Sequence, residues 1–189
     1  RVGPLPLAED LTLTEVARFE AFGLEHPEFE VDVQLRRFYR HGAQTAHVLG
    51  YIGEASTAQV EGSSDLRPGD LVGVNGTELS YDARLRGVKG RRVVIVDNRN
   101  NLVEEHLRVP AKRGEDLQLT LDLDLQQEAQ RFFEGKAGSA VVLDPRTGEV
   151  LVMVSSPAYD PNMFARRLKA SEWNRLASAE NDPLQNRAV

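Results

Sequence analysis

Residues 138–164, GSAVVLDPRTGEVLVMVSSPAYDPNMF, hold the pattern from which the rest of the chain is read. Two apolar, β-branched runs, 139–143 and 149–154, flank the pentapeptide Asp144-Pro145-Arg146-Thr147-Gly148. Asp and Pro suit the first two positions of a type I turn, and Gly148 accepts the left-handed backbone that closes it. The stretch therefore reads as a β-hairpin. Val141, Val142, Leu143, Val150, Leu151, Val152 and Val154 run almost without a polar break, as in a sheet covered on both faces. Pro157, Tyr159, Asp160, Pro161 and Asn162 then read as a fixed turn, with Asp160 placed to cap a helix starting near Asn162.

Working outward, 117–123 alternates apolar and polar residues and predicts a strand. Asp124 and Gln127 have capping-box spacing for a helix over 125–134 that closes at Gly135. Residues 110–114 (PAKRG) mark the internal boundary. Before it, 92–96 and 102–109 flank the turn residues 97–101 and predict a second hairpin. A helix is expected over 11–25, capped by Thr12 or Thr14 and ended by Gly23. A strand is expected over 29–35, a helix over 43–49 stopping at Gly50, and a polar loop over 61–65. Residues 1–10 read as an extended lead-in.

The 189 residues suit one large domain or two small ones, and a composition 41% hydrophobic and 28% charged is that of a globular protein. A net charge of −6 argues against nucleic acid as a partner. Without cysteine there are no disulfides, no thiol chemistry and no thiolate zinc site. No window approaches a membrane span or a signal segment, and the chain opens at Arg1. It is read as a fragment or processed product.

Residues 66–79, LRPGDLVGVNGTEL, have two readings. Alone they resemble the carboxylate-binding region of a PDZ domain, which would make the chain a peptide-binding module. In context they join five further segments in one order: Arg37-Phe38-Tyr39; 47–53 (HVLGYIG), with His47 and Gly50; 119–133 (LTLDLDLQQEAQRFF); 138–164; and 184–188 (LQNRA), with Asn186 and Arg187. Together with Gly73, Gly76, Glu78, Tyr81-Asp82 and Leu85-Arg86-Gly87, this series resembles the class B penicillin-binding proteins, with those of the elongation type as the nearest pattern. Arg40 stands where that family has proline, and Thr77 where it has an aliphatic residue.

The resemblance implies an α+β fold in two parts. The first, 1–113, is a strand-rich, irregular, non-catalytic pedestal. The second, 114–189, holds the first helix and β-hairpin of a penicillin-binding transpeptidase domain. The family's serine lies in S-x-x-K, backed by S-x-N and K-T-G, because a lysine must take the serine's proton and backbone donors must hold the oxyanion. None of the three motifs occurs in this sequence, so the chain is expected to be scaffold, with stem peptides and β-lactams handled elsewhere in the parent protein. The resemblance further implies a SEDS-type glycan polymerase and other elongation-complex proteins as partners. It also implies an upstream anchor helix, an extracytoplasmic position and no cofactor.

Among individual residues, Glu78 is expected in an ion pair with Arg37 or Arg86, since a buried carboxylate needs a basic partner. The alternative is a solvated carboxylate. His26, His41, His47 and His106 lack metal-ligand spacing, and Asp122 and Asp124 lack the rest of a calcium loop, so no metal is expected. Arg84, Arg86, Lys89, Arg91 and Arg92 form a basic run, read as a solvated hairpin face or a contact for a partner or anionic lipid.

Overall fold

The structure is a computed structural model that describes residues 7–8, 10–23, 26, 28–33, 36–97, 102–166 and 168–189. The chain divides into two units, Arg1–Leu35 and Arg36–Val189. In the first, helix α1 (Leu13–Phe22) starts at Thr12, whose side chain accepts from the Glu15 amide while Glu15 reaches back to the Thr12 amide, and it ends at Gly23. No residue of α1 is buried. The expected strand over 29–35 does not form where the chain is described. Residues 29–33 have no ladder partner, and Phe29 and Val33 face solvent, so alternation alone does not make a strand. Residues 34–35 lie outside the described residues, as does most of the lead-in.

The second unit runs from a short 3₁₀ turn (Gly42–Gln44) into helix α2 (Ala46–Leu49), β1 (Ile52–Glu54), α3 (Thr57–Glu61), β2 (Leu71–Gly73), α4 (Gly76–Ser80) and α5 (Asp82–Leu85). Then come β3 (Arg91–Val96), β4 (Leu102–Val109), α6 (Leu123–Phe132), β5 (Gly138–Leu143), β6 (Val150–Ser156), a 3₁₀ turn (Pro161–Met163) and α7 (Ala170–Ala177). The described strands pair antiparallel as β1–β2, β3–β4 and β5–β6. Helices and small antiparallel sheets together give the α+β fold. Helix α3 replaces the start of the expected polar loop. Ser56 and Gln59 form its capping box, an S-x-x-Q signature that is plain in the sequence.

The β5–β6 hairpin pairs Val142 with Val152 and Val141 with Met153, and Gly148 closes its turn at φ 77°. Val152 and Val154 are 2% and 1% exposed, whereas Val141, Val142 and Leu143 stay about half exposed. The sheet is thus covered on the β6 side only among the described residues. Residues 117–123 are not the expected strand. Their side chains alternate between inner and outer positions, but a single backbone bond, Asp122 N–H to Leu151 O (2.9 Å), ties them to β6. Alternation here marks an extended segment along a sheet edge, not a ladder.

Helix α6 begins two residues earlier than the spacing predicts. Asp122, not Asp124, is its cap, and its Oδ1 accepts the amides of Asp124 and Leu125 at 3.0 Å each. Its far end falls at Phe132, and Gly135 lies beyond it in the following turn.

Candidate functional site

Two of the segments singled out in the sequence meet at an ion pair. Arg37 Nε and Nη2 lie 2.7 and 2.8 Å from Glu78 Oε1 and Oε2, a fork-on-carboxylate geometry. Glu78, in the first turn of α4, is buried. Arg86 instead faces Asp82 at 3.4 Å, one helical turn away. Tyr39 lies close by. Burial above all, together with the Glu78 charge, pushes its phenol up and keeps it protonated.

Behind this pair, residues 47–53 and 70–78 interlock. Asn75 Oδ1 accepts the Tyr51 amide at 3.0 Å, and its Nδ2 donates to the Tyr159 hydroxyl at 3.3 Å. Gly50 lies at φ 78°, where an added Cβ would stand 2.0 Å from the Asn75 carbonyl oxygen. Gly73 is pressed as closely on the Glu78 carbonyl, and its own amide is held by Asp82 Oδ1 at 2.9 Å. Gly76 opens α4, and Tyr81 caps its far end. Thr77, unusual for its motif, donates its hydroxyl to the Leu49 carbonyl (3.3 Å) and so caps the end of α2.

A polar seam joins these residues to the second half of the chain. Asn162 holds Tyr39 from both sides: its Oδ1 accepts the Tyr39 amide at 2.8 Å and its Nδ2 donates to the Tyr39 carbonyl at 2.9 Å. Asp160 Oδ1 fixes Asn162 by accepting its amide and its Nδ2. The Tyr159 hydroxyl donates to Ala46 O (3.4 Å), and Tyr159 stands edge-on to His47, Tyr51 and Phe164. Asn186 Nδ2 donates to the His47 carbonyl at 3.4 Å, and the Arg187 amide donates to Ser155 Oγ at 3.0 Å. Asp144 and Gly148 lie apart, in the β5–β6 turn, where Asp144 is bonded to Arg146.

Gln126 completes the seam and was not singled out in the sequence. It is 1% exposed on the inner side of α6. Its Nε2 donates to Met153 O and Gln44 O, both at 2.8 Å, and its Oε1 accepts the Met153 amide at 2.9 Å. The side-chain amide thereby takes the place of a neighbouring strand on the open edge of β6. A glutamine one helical turn from both Leu123 and Ala129, on the side those two residues make apolar, is the signal that could have found it. Gln126→Leu leaves three backbone groups short of a partner, and at about 1–3 kcal/mol for each buried group, moderated by water at the half-buried ones, the expected loss is about 2 kcal/mol. Urea unfolding measures it, and a loss below about 0.5 kcal/mol would mean that water replaces the side chain fully.

The basic run is largely neutralised. Arg84 meets Glu115 (2.6 Å), Arg92 meets Glu105 (2.7 Å), Arg86 meets Asp82, and Lys89 meets Asp70, while Arg91 lies exposed on β3. Lys89 chiefly holds the Asp70 carboxyl below its usual range. His26 bonds Glu28, His47 is buried in the seam, and no group of three or more His, Asp or Glu side chains among the described residues could hold a metal. No helix among them is long and apolar enough to cross a membrane. Beside the seam lies an open, mostly apolar groove of about 520 Å³, bordered by His47, Val48, Leu119, Leu121, Met153 and Leu184.

Residues 1–119 match the penicillin-binding protein dimerisation domain, and residues 138–189 match the penicillin-binding protein transpeptidase domain. The chain belongs to the penicillin-binding proteins, and residues 66–79 fall inside the first match. Among individual relatives, it is 36% identical over its whole length to the peptidoglycan D,D-transpeptidase MrdA of Escherichia coli K12. It is 37% identical over 95% of its length to the protein of that name from Acinetobacter baumannii. It spans 31% and 27% of those two relatives. Among solved structures, it resembles penicillin-binding protein PBP2 of Helicobacter pylori in complex with MreC (TM-score 0.75, 31% identity, 90% of this chain and 32% of that one). It also resembles PBP2 of Pseudomonas aeruginosa in complex with WCK 5153 (TM-score 0.68, 28% identity, 84% of this chain and 32% of that one).

Proposed function

We propose that these residues are the non-catalytic scaffold of a peptidoglycan D,D-transpeptidase of the cell-elongation machinery. In this reading residues 1–113 form the pedestal and residues 114–189 begin the transpeptidase domain. The polar seam, above all the two-way Asn162–Tyr39 clasp, supports it: directional bonds between the two parts help a pedestal to set the orientation of a catalytic domain. In the parent enzyme the serine would attack the carbonyl of the penultimate D-alanine of a stem peptide, breaking its peptide bond and expelling the terminal D-alanine, and an amine of a neighbouring strand would then take the acyl group and free the serine. With no S-x-x-K, S-x-N or K-T-G here, these residues position that chemistry without performing it.

The parent protein would be held by an anchor helix on the extracytoplasmic face of the membrane. The pedestal would contact a SEDS-type glycan polymerase, favouring one of its conformations by binding it more tightly. The exposed face of β3–β4, with Arg91 and the paired cations around it, is the surface we assign to a protein partner.

Fluorescent-penicillin labelling with intact-mass measurement tests the central claim. A polypeptide of these 189 residues, 21.0 kDa, is expected to take no label, while a longer protein containing them is expected to be labelled covalently. A label on the 21.0 kDa species, or none on the longer protein, would overturn the reading. Saturable binding of free C-terminal peptides would favour the PDZ-like alternative instead.

A further inference from the structure

Asn75-Gly76 is the one asparagine–glycine step among the eight asparagines of the chain. In such a step the side-chain amide can be reached by the next backbone nitrogen, and glycine has no Cβ to obstruct ring closure. Asn75 stands at the N-cap of α4 but makes no cap bond with its side chain. That side chain is engaged in the seam instead, with Oδ1 on the Tyr51 amide at 3.0 Å and Nδ2 on the Tyr159 hydroxyl at 3.3 Å. The Gly76 amide, first of α4, has no acceptor within the helix. Both residues are half-buried and border the open groove.

The two seam bonds hold the pair in an unreactive form. Closing a five-membered ring needs Asn75 Cβ and the Gly76 nitrogen eclipsed about the Cα–C bond. At ψ 179° the Asn75 backbone is extended and the two are staggered. Reaction therefore requires both side-chain bonds to break and ψ to turn, and the groove gives the freed side chain room and water.

We propose that Asn75-Gly76 is a self-modification site timed by local opening of the seam: the freed asparagine deamidates, and its isoaspartyl product keeps the seam from closing. In the opened form the Gly76 nitrogen gives its proton to solvent and attacks Asn75 Cγ. An N–Cγ bond forms, the Cγ–Nδ2 bond breaks, and the side-chain nitrogen takes a proton from solvent and leaves as ammonia. Water then opens the cyclic imide, so one water enters for each ammonia lost. Addition at Cγ restores the main chain and leaves aspartate. Addition at the main-chain carbonyl breaks its bond to the Gly76 nitrogen and leaves isoaspartate, with the chain running through Cβ and Cγ.

The fold accepts these products unequally. Aspartate keeps one oxygen for the Tyr51 amide and one for the Tyr159 hydroxyl. Isoaspartate lengthens the main chain where there is no slack: a Cβ added at Gly50 would stand 2.0 Å from Asn75 O, and one at Gly76 2.6 Å from Val48 O. The displacement passes into α4, which carries Glu78 and so one half of the ion pair with Arg37.

Incubation of the 189-residue chain in mildly alkaline buffer over a series of urea concentrations tests the proposal. Peptide mass spectrometry follows Asn75, and methylation by a protein isoaspartyl methyltransferase reports the iso product. Below the unfolding transition, deamidation is expected at least about tenfold more slowly than in high urea, and nearly independent of urea, because local opening exposes little surface. Tyr159→Phe, which removes one of the two seam bonds, is expected to raise the folded-state rate about fivefold and leave the high-urea rate unchanged. Should that variant fail to fold, the urea dependence of the parent chain decides. The isoaspartyl fraction is expected to unfold at lower urea than Asn75→Asp, which stays near the parent. No reaction below the transition, a folded-state rate equal to that in high urea, or one rising with the full urea dependence of global unfolding overturns the proposal. So does a folded Tyr159→Phe that reacts no faster, or an isoaspartyl fraction as stable as Asn75→Asp.

Discussion

Gly50→Ala is expected to cost about 4 kcal/mol, through two separable effects. At φ 78° and ψ −154° the backbone lies where only glycine rests without strain, at about 1–3 kcal/mol for any other residue. The new methyl would also stand 2.0 Å from the Asn75 carbonyl, and forcing an atom into filled space costs a further ~1–3 kcal/mol. That oxygen belongs to the main chain leading into α4, so it cannot turn aside as a side chain would. For a chain of this length the loss corresponds to a fall of roughly 10 °C in Tm. Gly69→Ala is the control: its φ is 88°, but nothing lies within 4 Å of the added Cβ, so strain alone is expected. Equal losses for the two variants in urea unfolding would show that the 50–75 contact yields.

The second large effect is an asymmetry. The Glu78 side chain is 8% exposed and that of Arg37 39% exposed. Arg37→Ala therefore strands a buried carboxylate and is expected to cost about 3–4 kcal/mol. Glu78→Ala frees a guanidinium that can turn towards water, and its cost is expected to be about 1–2 kcal/mol. Urea midpoints rank the two, and replacing both residues by apolar ones should recover part of the larger loss. If Glu78→Ala proves as costly as Arg37→Ala, the carboxylate has a further role in ordering α4. If neither moves the midpoint, the pair is solvated and structurally idle.

Much of the architecture was legible because it is local. The Asp-Pro-Arg-Thr-Gly turn, the β-branched run of β3 with the turn residues after it, and the Thr12 and Asp160 caps depend on residues a few positions apart, whose chemistry holds in any surroundings. Where the reading failed, a partner was missing. Residues 29–33 and 117–123 alternate as strands do, yet a strand is defined by a second strand at hydrogen-bonding distance. The α6 cap fell on Asp122, although Asp124 has the better spacing to a glutamine, because Asp122 is already held by its amide on Leu151.

The site divides in the same way. The sequence by itself determined the family pattern, the order of the motifs and the absence of an S-x-x-K serine, since each is a matter of residue identity and spacing. Only the tertiary structure decided that Arg37, not Arg86, reaches Glu78, that Asn162 clasps Tyr39 across 123 positions, and that Gln126 stands in for a strand beside β6. Those are pairings between segments distant in the chain, and their partners are chosen by backbone geometry: the close approach at Gly50 and Gly73 brings two loops within bonding distance, and no local rule of spacing encodes it.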